Sequence, residues 1–138
     1  MHFILYADGG SRGNPGPSGA GALVRDKEGK QIVTVSEFLG TTTNNIAEYT
    51  ALLRALEGLQ KLLGSSVSGA VVEARLDSQL VVRQMNGEYK IKHPNIVPLA
   101  VKVKEVARSF KSVSFSHVYR EDNTEADALA NEAMDRGH

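Results

Sequence analysis

Four carboxylates from separated parts of the chain, Asp8, Glu48, Asp77 and Asp127, are of a type and placement that could do chemistry together. Asp8 ends the apolar run FILYA and meets Gly9-Gly10, while Asp77 ends VVEARL just before Ser78-Gln79. Each acid also has a plain structural role open to it. Asp-Gly is a common turn dipeptide, Asp77 could cap a helix opening at Ser78, and Asn45-Ile46-Ala47-Glu48 fits a capping box in which the glutamate reaches back to the cap amide. Asp127 is harder to account for. It sits among Ala126, Ala128, Leu129 and Ala130, where an acid has low helix propensity, and Asp122 with Glu125 already has the spacing to cap that helix. If the four converge, each raises its neighbours' pKa unless a cation neutralises them. Magnesium takes oxygen ligands, and two such ions roughly 3.5–4 Å apart can activate water and stabilise the departing oxygen of a phosphodiester. The chain has no cysteine, so any metal must be held by oxygen or imidazole, which favours a hard cation.

The elements that would have to gather these acids can be read from periodicity. Residues 2–8 read as a buried strand, and 19–26 and 30–38 as two strands around the turn Asp26-Lys27-Glu28-Gly29. Tyr49, Leu52, Leu53, Leu56, Leu59 and Leu63 follow helical spacing over 45–63, which Gly64-Ser65-Ser66 stops. Residues 70–77 read as a strand, 78–86 as a short helix ending at Asn86-Gly87, and 88–95 as a loop. Pro98 falls in the first turn of a helix over 96–110, where it is tolerated. A strand over 112–119 and a helix over 124–136 complete the order β-β-β-α-β-α-α-β-α, an α/β domain with a mixed sheet covered by helices. In such sheets a site lies beyond the carboxyl ends of strands, where Asp8 and Asp77 stand.

Composition limits the partners. The 138 residues, 41% apolar, suit one domain spanning 1–138 with one core, and nothing demands a dimer, so a monomer with no protein partner is expected. No apolar run approaches the ~18 residues of a membrane span, and no leader with a cleavage site is evident; together with the lack of cysteine this points to the cytoplasm and to no membrane partner. Sixteen basic and sixteen acidic residues cancel, yet Arg83, Lys90, Lys92, Lys102, Lys104, Arg108 and Lys111 face only Glu88 and Glu105 between Val81 and Lys111, leaving room for a basic patch. Neither GxGxxG nor GxxxxGK[ST] occurs in the glycine-rich stretch, and GAGALVRD after it reads as a strand, which argues against a nucleotide loop.

The strings DGGSRGNPG, TTNNIAEYTALLRAL, LDSQLVV and NTEADALAN, in this order and spacing over nearly the whole chain, resemble type 1 ribonuclease H. The resemblance implies a five-stranded mixed sheet of order 3-2-1-4-5, its first three strands antiparallel, flanked by helices. It implies endonucleolytic cutting of the RNA strand of RNA–DNA hybrids by two magnesium ions, with manganese as a substitute, held by Asp8, Glu48, Asp77 and Asp127. It also implies that Gly9, Gly10, Ser11, Asn44 and Gln79 read 2′-hydroxyls, which only RNA offers, and that Asn14 and Thr43 grip a phosphate of the DNA strand. Turn chemistry for Asn14 and helix-start capping for Thr43, Asn44 and Asn45 are the plain alternatives.

Three departures from the family pattern matter. The loop histidine before the last helix is missing: HVYREDN puts His117 in the strand and leaves Arg120 and Glu121 as occupants of the vacant position. A long basic protrusion is replaced by EYKIKHPN, in which Tyr89 and Lys90, with Lys92, could touch the DNA backbone or simply be solvated. No separate hybrid-binding module is expected ahead of Met1. Two other readings share the fold: a catalytically silent hybrid-binding module, and a DNA-cutting nuclease of the same superfamily. Four acids facing phosphates speak against the first, and the residues suited to 2′-hydroxyls speak against the second.

Overall fold

A computed structural model describes residues 1–138. Three antiparallel strands lead: β1 (His2–Ser11), β2 (Gly16–Arg25) and β3 (Gln31–Thr42). Helix α1 (Asn44–Leu63) then carries the chain over to β4 (Val71–Leu76), which lies parallel to β1. Two helices, α2 (Gln79–Met85) and α3 (Val97–Ala107), lead to β5 (Ser112–His117), parallel to β4, and α4 (Thr124–Arg136) closes the chain. The sheet order is β3-β2-β1-β4-β5, as the resemblance implied. No helix is long and apolar enough to cross a membrane.

The central strands position everything else. Phe3, Leu5 and Ala7 of β1 alternate inward and, with Val72, Ala74 and Leu76 of β4, bury against Leu52, Leu53, Leu56 and Leu59 of α1. Each such leucine taken wholly out of water contributes about 1.5–3 kcal/mol. β2 is buried from Ser18 to Val24 because it is covered on both faces, by α1 on one side and α4 on the other. Its small residues allow this: a Cβ on Gly21 would lie 2.2 Å from the Ala126 carbonyl oxygen, and one on Gly19 would lie 2.5 Å from that of Ala130. Helix α4 therefore sits directly on the backbone of β2.

Several boundaries differ from the sequence expectation. β1 does not end at Asp8; Gly9, Gly10 and Ser11 continue it against Ala20, Gly19 and Ser18, although its pairing with β4 stops at Ala7. Glycines read as a turn because they lack side chains, whereas here their bareness lets other elements approach. Helix α3 ends at Ala107, three residues early, and Phe110 is buried from the following turn. Gly64–Gly69 forms a 3-10 helix beyond the stop signal, and Arg120–Asp122 forms another before α4.

Candidate functional site

Asp8, Glu48 and Asp77 meet at the carboxyl edge of the sheet. One carboxylate oxygen from each lies within 4.8 Å of the other two. Asp8 comes from the stretch of β1 that outlasts β4, and Asp77 from the residue after β4 ends. Glu48 is delivered by close backbone contact: a Cβ on Gly9 would lie 2.2 Å from the Ala47 carbonyl carbon and 2.3 Å from the Glu48 nitrogen, so only glycine lets α1 come this near β1. Asp127, in α4, lines the same cleft as these three, and its carboxyl is one of the groups that raise Asp8. Asn131, one turn on, donates from Nδ2 to the Asp127 Oδ2 at 3.2 Å and to its carbonyl at 3.1 Å.

The capping roles open to these acids are filled by other residues. Thr43 caps α1, its Oγ1 accepting from the Ile46 amide at 3.4 Å, so Glu48 lies beyond the position from which a capping-box glutamate reaches back. Ser78 caps α2 by accepting from the Val81 amide at 3.3 Å, which releases Asp77. The expected Asp122–Glu125 box is also absent. α4 spans Thr124–Arg136 as expected, but Asn123 and not Asp122 stands at its N-cap, and Glu125 pairs with Arg25.

Burial is the largest reason that Asp8 is pushed up to about 8; the Asp77 charge, the neighbouring Asp127 carboxyl and the Glu48 charge add to it. Glu48 is likewise pushed up to about 8 by burial and then by Asp77, against the opposing effects of the Ser78 hydrogen bond and the Arg120 charge. Carboxyl groups arranged so that they resist ionising together suit a divalent cation. With only oxygen donors in reach, the set fits a hard ion.

Around the acids lies a cleft of about 480 Å³ whose walls include Gly9, Gly10, Ser11, Asn44, Asn45 and Arg120. Asn44 in its wall belongs to a braced set of polar groups that includes Asn14 and Thr43, which lie outside the lining itself. Asn44 Oδ1 accepts from the Ser11 amide at 2.8 Å, and Asn14 Oδ1 accepts from the Asn44 amide at 3.1 Å. With Thr43 Oγ1 also accepting, three side-chain oxygens are held by backbone amides, leaving two amide Nδ2 groups and one hydroxyl as donors. Gln79 lies apart, beside Arg83, Glu88 and His117. Tyr89 and Lys90 line another groove with Ile91, Lys92 and Lys104, and Glu121 lies outside the acid cleft's lining. His117 is the last residue of β5, packed edge-on against Tyr119 at 5.8 Å. Sequence reasoning missed Asn131 as a partner of Asp127. The four-residue spacing of Asn131 from Asp127, one helical turn, was the available signal.

Comparison with known proteins follows the same lines. The reverse transcriptase-like family model matches residues 6–133. The bifunctional protein Rv2228c of Mycobacterium tuberculosis is 43% identical over 136 residues, 98% of this chain and 36% of that protein. Ribonuclease HI of Halobacterium salinarum is 39% identical over 130 residues, 94% of this chain and 63% of that one. The chain thus spans between about a third and two thirds of the length of these relatives. The solved structure of LC11-RNase H1 in complex with an RNA/DNA hybrid superposes with a TM-score of 0.91 at 44% identity, covering 97% of both chains.

Proposed function

The chain belongs to the type 1 ribonuclease H family, and on that premise we propose that it hydrolyses the RNA strand of RNA–DNA hybrids, leaving 3′-hydroxyl and 5′-phosphate ends. The observation that carries this reading is the meeting of the Asp8, Glu48 and Asp77 carboxylates within 4.8 Å at the edge of an open polar cleft. In this proposal those three residues and Asp127 hold divalent metal, magnesium with manganese as a substitute. Two such ions, when bound, supply water activation and neutralise charge on the departing oxygen. Asp8 and Glu48 must give up their protons for this, and Asn131 holds the Asp127 carboxylate in place by its hydrogen bond.

Recognition falls to the braced polar set. With its oxygen held by Ser11, Asn44 presents an amide donor beside Gly9 and Gly10, suited to a 2′-hydroxyl of the RNA strand. Asn14 and Thr43, similarly engaged, present donors for a phosphate oxygen of the DNA strand. Asn45 and Arg120 line the same cleft, Gln79 extends the surface past α2, and Glu121 stands in the turn before α4. The reading takes residues 1–138 as one catalytic domain acting as a monomer in the cytoplasm, which the cysteine-free composition supports.

The test is incubation with labelled RNA–DNA hybrid, double-stranded RNA and double-stranded DNA in magnesium, with Asp77→Asn alongside. The hybrid's RNA strand is expected to be cut. Asp77→Asn is expected to lose more than about 100-fold in rate, the upper end of what removing a partner one step behind a metal ligand costs. Cleavage of duplex DNA, or an unimpaired Asp77→Asn, refutes the reading.

A further inference from the structure

Asn123 is 1% exposed, and no acid cluster or substrate surface claims it. It occupies the N-cap position of α4, where an asparagine oxygen ordinarily accepts from an amide of the first turn, but it makes no such bond. Its side chain turns to β1 instead, and Nδ2 donates to the Ala7 carbonyl at 3.0 Å. The orientation of the amide is forced. A carbonyl can only accept, so the nitrogen must face Ala7, and Oδ1 is left buried with no hydrogen-bond partner in the protein. A fold that leaves a helix uncapped and a buried acceptor unpaired at one residue is under a local constraint of the kind kept at functional sites.

The place of that bond indicates the constraint. Ala7 is the last residue of β1 to pair with β4 and the neighbour of Asp8. The Asn123 carbonyl accepts the Asp127 amide at 3.1 Å. One residue therefore grips the backbone next to Asp8 through its side chain and the backbone of Asp127 through its main chain. The tether joins the two acids at the point where the β1–β4 ladder no longer restrains β1. Glu48 has its own anchor in the close passage of α1 over Gly9, while the first turn of α4 has no cap.

We propose that Asn123 is a positioning residue that sets the separation of Asp8 and Asp127, and so the affinity of the acid set for divalent metal. The inference rests on the metal-dependent reading given above. The test compares the parent, Asn123→Ala, the milder Asn123→Ser, and Val113→Ala, a partly buried β5 residue remote from the cleft that reports what lost packing alone does. Three quantities are read: kcat and KM on RNA–DNA hybrid at saturating magnesium, Mn²⁺ affinity by electron paramagnetic resonance, and Tm. Asn123→Ala is expected to lose about 10- to 100-fold in kcat with KM for the hybrid little changed, and to bind Mn²⁺ more weakly by a similar factor. Asn123→Ser should fall in the same direction, and it decides the question if the alanine variant does not fold. Asparagine variants that retain parental kcat and Mn²⁺ affinity, matching Val113→Ala at equal loss of Tm, overturn the proposal. A parent inactive on hybrids sinks the functional reading instead, and the Mn²⁺ comparison still decides the role of Asn123.

Discussion

At the scale of single residues, the strongest consequence concerns protons. Asp8 and Glu48 titrate near 4 in an unfolded chain and are held up to about 8 in the fold, chiefly by burial. Between those values the native state binds more protons than the unfolded one, so stability falls as pH rises through the window. Without metal, the protein should be most stable near the lower end and lose Tm steadily toward pH 8. Magnesium competes with the protons, so it should raise Tm at pH 8 and have little effect at pH 5. Thermal scans in chelator and in magnesium across this range check both, and Asp8→Asn should flatten the profile in chelator. A chelator profile that is level or rises from pH 5 to 8 contradicts the burial of these two groups. The meeting of Asp8, Glu48 and Asp77 was legible through the motifs that carry the family resemblance, since on local chemistry alone Glu48 fits a capping box. Which residues cap the helices was less legible, because a cap shifted by one or two residues changes which side chain reaches the helix start, and Thr43 and Asn45 are both good caps on local chemistry alone. Asn123 was invisible in sequence because its partner, Ala7, is a backbone carbonyl far along the chain.

At the scale of elements, the site depends on how closely helices approach the sheet. Gly9 was read as a backbone that meets substrate; the structure gives it a second duty in admitting α1. Gly9→Ala forces a methyl group into the Ala47–Glu48 backbone, which has no flexible end to yield, and should cost at least about 3 kcal/mol, the upper part of the range for overpacking. Hybrid cleavage should fall as well, since any retreat of α1 carries Glu48 with it. Gly69→Ala is the matching control, because its new Cβ would meet only the tip of the Met1 side chain at 3.9 Å. Denaturant midpoints for the two variants decide the matter, and equal midpoints would show that α1 does not need this contact. The order of elements was legible from hydrophobic periodicity, and the strand order of the sheet was what the family resemblance of the motifs implied. The extension of β1 through three small residues was not, because glycine's usual meaning in a sequence is a turn, and its use here depends on partners that only the fold supplies.

At the scale of the whole molecule, the zero net charge conceals a division that bears on affinity. Lys90, Lys92 and Lys104 line a groove of about 400 Å³ between the loop after α2 and α3, away from the acids. Tyr89 stands at its edge, with the Arg83 guanidinium 5.4 Å from its ring centroid and bonded to its hydroxyl at 2.8 Å. Carboxylates repel a polyanion until metal binds, so a compensating grip is best placed on a different strand of the substrate from the one being cut. If Lys90 and Lys92 hold DNA-strand phosphates, each releases a counterion on binding, and replacing both with alanine should make the slope of log affinity against log salt shallower by about 1 per lysine. KM for the hybrid should rise while kcat at saturating substrate and metal holds, because neither lysine stands near the acid cleft. Fluorescence anisotropy with labelled hybrid and the catalytically silenced Asp77→Asn chain measures the slope without turnover. An unchanged slope would mean that the lysines are merely solvated, and that the braced set of Asn14, Thr43 and Asn44 beside the acid cleft supplies the grip on substrate.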